Sequence, residues 1–186
     1  ENGWSDGVDA IFETAGAIAS VDNDVAANSV KFKENAAING ETTLTPNIVH
    51  VAEGKEATIN APTAGELTKT GAGTLTLGSS RTDQTTVSEG TLAMSGSGTT
   101  LDWSKFTLGT DPDKPVTVRF EDGAAPTSGA WYLGSGNITS TVVKASGDWS
   151  RGGNDIHIGS GVGADTTFIH EGGSLTCSRF IRVGTR

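Results

Sequence analysis

The sequence predicts an all-β chain wound into a stack of parallel coils. Three observations carry that prediction: a composition made of turns and strands, short segments of alternating apolar residues, and a fixed 25-residue spacing in the second half. Of 186 residues, 26 are Gly and 26 are Thr, together 52 positions. Helix interiors disfavour both, Gly through backbone entropy and Thr through its stiff χ1, whereas Thr fits a pleated sheet and Gly fits the corners between strands. Only 34% of the residues are hydrophobic and 6% aromatic, which is little for a compact globule of this length and more consistent with a long, thin core. The net charge of -9 offers no basic footprint for nucleic acid, and no 18-residue apolar run is present to cross a membrane.

In chain order, residues 9–21 contain Ala10, Ala15, Ala17 and Ala19, but Gly16 and β-branched neighbours weigh against a helix, so this segment is assigned to strand. Ser29-Val30-Lys31-Phe32, Val49-His50-Val51, Glu56-Ala57-Thr58-Ile59, Leu75-Thr76-Leu77-Gly78 and Gly90-Thr91-Leu92-Ala93-Met94 read as short alternating strands. Asn39-Gly40, Glu53-Gly54 and Gly71-Ala72-Gly73 are the turns between them.

Beyond residue 100 the pattern becomes regular. Phe106-Thr107-Leu108-Gly109, Trp131-Tyr132-Leu133-Gly134, Ile156-His157-Ile158-Gly159 and Ile181-Arg182-Val183-Gly184 place their glycines 25 residues apart. On the same ruler Val118, Val143 and Phe168 align, as do Val116, Thr141 and Thr166, and Gly147 aligns with Gly172 while Asp122 breaks that column. A fixed period of this length suits one coil of a parallel β-solenoid. Strand alternation then stacks Phe106, Trp131, Ile156 and Ile181 inward, with Leu108, Leu133, Ile158 and Val183 as a second inward column. The intervening Thr107, Tyr132, His157 and Arg182 point outward, and each following Gly supplies a corner.

Residues 65–92 run Gly65-Glu66-Leu67-Thr68-Lys69-Thr70-Gly71-Ala72-Gly73-Thr74-Leu75-Thr76-Leu77-Gly78, then Thr85-Thr86-Val87-Ser88-Glu89-Gly90-Thr91-Leu92. This stretch resembles the autotransporter-associated β-strand repeat, or passenger-associated transport repeat, in which G-x-L-x-K-x-G-x-G-x-L-x-L precedes T-x-V-x-x-G-x-L. Trp4, Phe12, Ser29 to Phe32, Ile38-Asn39-Gly40 and Val49 to Val51 are similar to what usually precedes such a repeat. The resemblance implies a right-handed parallel β-helix in a secreted or surface-displayed bacterial protein, commonly an adhesin, and it implies no catalytic activity. It covers the first hundred residues well and the 25-residue coils more loosely.

We therefore read 1–186 as one continuous solenoid: irregular coils over 1–64, the repeat over 65–92, and regular coils of about 25 residues over 104–186. The chain starts without Met and stops within a repeat, and the expectation is a segment of a longer protein. It has none of the long alternating strands and aromatic girdles of a membrane barrel.

The search for chemistry gives little. His50 is expected outward between two valines, His157 on the outward column, and His170 in a column with Phe120 and Ala145; none has a partner at a spacing that demands catalysis or metal binding. Asp22-Asn23-Asp24 and Asp111-Pro112-Asp113 are turn sequences. No cofactor is expected, with a structural calcium at Asp22 and Asp24 as the alternative. Gly159-Ser160-Gly161-Val162-Gly163 precedes a strand rather than a helix, so it reads as a corner and not a phosphate loop. Gly96-Ser97-Gly98 and Gly134-Ser135-Gly136 lack a nucleophile elbow, and Asn137-Ile138-Thr139 is a sequon of little weight in a bacterial protein. Cys177, the single cysteine, reads as a small buried hydrophobe.

The binding residues expected are Thr107, Tyr132, His157 and Arg182, whose stacked side chains would make a flat face for an extended glycan or protein polymer. The leading reading is a non-enzymatic bacterial passenger segment, secreted or on the cell surface. The alternatives are a carbohydrate-active lyase or hydrolase, and a filament subunit whose coil ends associate.

Overall fold

The computed structural model describes residues 5–109, 111–128, 130–135, 138–160 and 162–184. The chain is a β-solenoid of about 8 turns of roughly 21 residues, with every strand pairing parallel. One wall has six strands: Val8–Phe12, Val25–Phe32, Leu44–Val51, Leu67–Thr70, Thr85–Val87 and Phe106–Leu108. A second has eight: Ala17–Val21, Ala36–Gly40, Glu56–Ile59, Thr74–Leu77, Gly90–Ser95, Val116–Glu121, Thr139–Lys144 and Asp165–His170. A three-stranded wall, Trp131–Ser135, Ile156–Ser160 and Ile181–Val183, follows the first along the axis. Two short pairs, Thr100–Asp102 with Ala125–Thr127 and Trp149–Arg151 with Leu175–Cys177, complete the later coils. The region assigned to one strand over 9–21 is two strands around a turn whose Gly16 has φ +74°.

The core is a column running along the axis. Val30, Phe32, Ile38, Leu44, Val49, Ile59, Leu75, Leu77, Val87 and Leu92 are fully buried in the first half, and Phe120, Leu133, Val142, Trp149 and Ile156 continue them. Alternation is clean on the short strands, where Thr74–Leu77 reads half-buried, buried, half-buried, buried. Each leucine thus meets the equivalent residue of the next coil, and burying such a side chain contributes about 1.5–3 kcal/mol.

The coil length is about 25 only in the later coils, where the sequence placed the regular repeat, and there it varies by one. Ala17, Ala36, Ala57, Leu75 and Leu92 pair in succession at steps of 19, 21, 18 and 17. Leu92, Val118, Val142 and Phe168 then pair at steps of 26, 24 and 26. The three-stranded wall keeps 25, through Trp131, Ile156 and Ile181, and so does the short pair in which Thr100 meets Ala125. The ruler therefore slips by one on the eight-stranded wall: Val142, not Val143, lies between Val118 and Phe168, and Ser140, not Thr141, between Val116 and Thr166. The corner column shifts with it. A Cβ on Gly147 would meet Gly123 Cα at 2.8 Å and one on Gly173 would run into Gly147 O, so Gly123, Gly147 and Gly173 stack where Asp122, Gly147 and Gly172 were expected. The four glycines of the ruler, Gly109, Gly134, Gly159 and Gly184, all take positive φ, as corners demand.

The corner after Leu67–Thr70 is tightly constrained. Gly71 has φ +76°, and a Cβ there would overlap Val51 O of the preceding coil. Gly71→Ala combines a left-handed backbone with a steric overlap, and is expected to lower stability by about 3 kcal/mol. Urea denaturation followed by circular dichroism measures this, and a loss within the ordinary surface range of about ±0.5 kcal/mol would show that the corner can move aside.

Candidate binding face

The three-stranded wall turns Trp131, Leu133, Ile156 and Ile158 inward, all buried. Its outward residues fall into register, Tyr132 beside His157 and His157 beside Arg182. Tyr132 and His157 stack with ring centroids 4.7 Å apart and planes 18° from parallel. That spacing is the strand separation of the sheet itself, so the backbone sets the stack. Tyr132 is 49% exposed and keeps an open outer surface.

Beyond the rings lies a charged group. Arg182 Nε donates to Asp155 Oδ2 at 2.9 Å, Arg179 Nε lies 3.6 Å from Asp155 Oδ1, and His157 Nε2 lies 3.9 Å from Asp155 Oδ2. Burial pushes the Asp155 carboxyl up, but the Arg182 hydrogen bond and the Arg179, Arg182 and His157 charges outweigh it and hold the carboxyl below its ordinary value. The Arg182 guanidinium also lies over the exposed Phe180 ring, 5.1 Å from its centroid. Two guanidiniums against one carboxylate leave this face locally positive in a chain of net charge -9. The arrangement can stack apolar ring faces and donate forked hydrogen bonds to carboxylate or hydroxyl oxygens.

Thr107, expected as the first member of this ladder, pairs with Thr86 of the six-stranded wall. Among the described residues no strand pairing joins Phe106–Leu108 to Trp131–Ser135. The reason is the change of coil size: the coils before are 17 to 21 residues long and those after 24 to 26, so one wall cannot continue straight through. Trp103 bridges the break, its Nε1 donating to Tyr132 O at 3.0 Å.

The other candidates are placed as follows. His50 is half-buried, with Nδ1 3.3 Å from Thr70 Oγ1, in a groove of the six-stranded wall that Asp9, Lys31 and Ile48 also line. His170 is exposed with Nε2 near Gly172 O and Gly173 O, and it pairs with Lys144, not Ala145, in the Phe120 column. Asp24 Oδ1 accepts from Thr43 N of the next coil at 2.7 Å, and Asp111 Oδ1 accepts from Asp113 N at 3.0 Å, so Asp24 ties two coils together while Asp111 caps its own turn. Among the described residues no group of three or more His, Cys, Asp or Glu is arranged around a common point for a metal. Gly136, Asn137 and Gly161 lie outside the described residues. Cys177 is half-buried against the core, its Sγ 3.3 Å from Asn154 O.

Sequence reasoning missed two buried ammonium groups. Lys69 is fully buried, and its Nζ donates to Thr70 O at 3.2 Å, Gly71 O, Gly73 O at 2.7 Å and Glu89 O at 2.9 Å. Lys144 repeats the device 75 positions later, donating to Gly147 O at 2.6 Å and to Gly172 O of the next coil. Each lysine neutralises a corner whose carbonyls converge. Burial lowers both ammonium pKa values, that of Lys69 to about 8 against the upward pull of Glu89, so Lys69 stays charged at neutral pH. Their signal was available: Leu67 and Lys69 alternate, so Lys69 shares the inward face of Leu67.

Acid should loosen the later coils. The Asp148 carboxylate is held below its ordinary value of 3.8 by hydrogen bonds from the Ser174 hydroxyl and backbone N–H, at 2.8 and 2.9 Å. A depressed carboxyl contributes stability that is present above its unfolded pKa and disappears as the pH falls through the folded one. The melting temperature is expected to drop below about pH 3.8, the unperturbed value, and Asp148→Asn should flatten that part of the profile.

The stacked parallel coils make the chain a β-solenoid, a fold that fits an autotransporter passenger. Residues 67–94 match the Passenger-associated-transport-repeat family, a span running from the Leu67–Thr70 strand through the two glycine corners to Met94. No curated protein and no solved structure matches the chain.

Proposed function

We propose that this passenger-type β-helix acts outside the bacterial cell, secreted or at the surface, as a non-catalytic module that holds extended glycan polymers against its three-stranded wall. The stacked Tyr132 and His157 rings, continued by Arg182, carry this reading. Aromatic faces pair with the C–H faces of sugar rings, while Arg179 and Arg182 supply donors for carboxylate or hydroxyl oxygens. The direct test is retention of the purified chain on a panel of immobilised neutral and uronic-acid polysaccharides. Tyr132→Ala and Arg182→Gln should each weaken retention about tenfold, equivalent to about 1.4 kcal/mol. Equal retention of native and variant chains would remove this face from consideration.

The carbohydrate-active enzyme reading draws on Arg119, which donates to Glu121 and, at 2.7 Å, to Glu171 on the outward side of the eight-stranded wall. Both carboxylates are committed to that guanidinium, which favours a surface ion-pair network over acid-base work. Release of reducing ends from a uronic-acid polymer by the native chain, lost in Glu171→Gln, would reverse the preference.

A further inference from the structure

The break between Phe106–Leu108 and Trp131–Ser135 forms a site of its own. Gly109 N–H donates to Val87 O at 2.8 Å, so the backbone groups of residues 107 and 109 face the six-stranded wall. Strand alternation turns those of Phe106 and Leu108 the other way, toward the break, where the Phe106 N–H is already taken by Trp103 O. On the opposite side, Tyr132 C=O accepts from Trp103 Nε1, so the backbone groups of Tyr132 also face the break. Between the two strand edges lies a cavity of about 210 Å³ lined by Trp103, Phe106, Thr107, Leu108, Tyr132 and Ile138. A Cβ on Gly109 would lie 2.7 Å from Ile138 Cγ2, so the bare glycine gives this isoleucine room at the cavity wall.

The lining chemistry is specific. Backbone donors and acceptors come from both edges, and Thr107 adds a hydroxyl oriented by Gln84 Nε2 at 3.2 Å. Trp103 and Phe106, 4.9 Å apart, supply apolar ring surface, and the described lining residues include no charged side chain. Closely spaced neutral hydrogen-bonding groups beside aromatic surface match a polyhydroxylated ring. The volume is below the roughly 300–1,000 Å³ of sites for drug-sized ligands, which limits the occupant to about one ring. An inserted peptide strand would need about 4.8 Å on each side, along the path that the Trp103 indole occupies.

We propose that this break binds a single neutral sugar residue, anchoring a glycan whose following residues run along Tyr132, His157 and Arg182. The proposal rests on the glycan-binding reading above and adds the subsite that fixes where the chain starts. Neutral monosaccharides and oligosaccharides should be titrated into ¹⁵N-labelled native protein, with the uronic-acid polymer as a parallel ligand. Amide shifts confined to Leu108, Gly109 and Tyr132 are expected with the neutral sugar. Thr107→Phe, a change at an exposed position whose ring would fill the cavity, should weaken neutral-sugar binding at least tenfold without lowering the melting temperature.

Neutral-sugar shifts that map elsewhere, or affinity unchanged in a folded Thr107→Phe chain, overturn the pocket. If polymer retention still depends on Arg182 in that case, the binding face stands without it. A native chain that binds no glycan on either assay overturns both. The amide map decides the matter should Thr107→Phe fail to fold.

Discussion

Lys69→Met is expected to lower the free energy of unfolding by about 3–5 kcal/mol, the range found when one partner of a buried charged group is removed. Methionine keeps the length and apolar stem of lysine, so the loss isolates the ammonium. Without it the carbonyls of Gly71, Gly73 and Glu89 face one another across a corner that is closed to water, and each orphaned acceptor costs about 1–3 kcal/mol. Arginine is no remedy, because a planar guanidinium does not fit a pocket built around a compact ammonium. The pH profile supplies a second signature. Because burial lowers the folded pKa of Lys69 to about 8 from 10.5, the unfolded chain holds that proton more tightly between those values. Native stability should therefore rise as the pH climbs through that window, the neutral amine still donating to the corner, and the rise should be missing in Lys69→Met. Denaturation in urea at about pH 7 and pH 10, on either side of the lowered pKa, measures both; a loss under about 1 kcal/mol, the net worth of one ordinary hydrogen bond, would mean that water reaches the corner.

That lysine also marks the limit of what the sequence made legible. The strands around Val49, Ile59 and Leu75 could be read directly, because period-2 alternation with His50, Thr58 and Thr76 leaves one orientation. Val142-Val143 could not: both residues are buried, so alternation does not say which one continues the Val118 column, and a ruler of 25 chose the wrong one. Lys69 was read through its charge, although its spacing from Leu67 placed it inside. What makes an inward ammonium tolerable is a ring of carbonyls gathered by Gly71 and Gly73 from two coils, a tertiary arrangement with no local trace. The site followed the same division. Tyr132, His157 and Arg182 align because their coils have equal length, while Thr107 falls out where coil length changes, and the cavity at that change arises from two strand edges that sequence reasoning had joined.

Trp149→Ala should destabilise the later coils by about 3–5 kcal/mol, the cost of truncating a buried aromatic to alanine. Trp149 is 1% exposed and is the hub at which the two walls meet. Its ring contacts Phe120 edge-on at 5.0 Å and Trp131 edge-on at 5.7 Å, and Phe168 lies 6.4 Å away. Phe120 and Phe168 belong to the eight-stranded wall and Trp131 to the three-stranded one, so a cavity here separates the walls instead of thinning one of them. The indole N–H also donates to Ala124 O at 3.0 Å, and the Lys144 ammonium lies 5.7 Å from the ring centroid. Trp149→Phe, which keeps a ring but loses that donor, should cost about 1–2 kcal/mol, near the net value of a hydrogen bond plus partial loss of packing. The ordering of the two variants matters more than either figure, since it separates packing from hydrogen bonding. The consequence reaches the binding face because Trp131 immediately precedes Tyr132: with its inner neighbour gone, Trp131 can change rotamer and the strand loses the packing that holds Tyr132 against His157. In a folded Trp149→Ala chain at low temperature, glycan retention should therefore fall although no surface residue has changed. Retention equal to that of the native chain would show that the sheet hydrogen bonds alone position the Tyr132 ring.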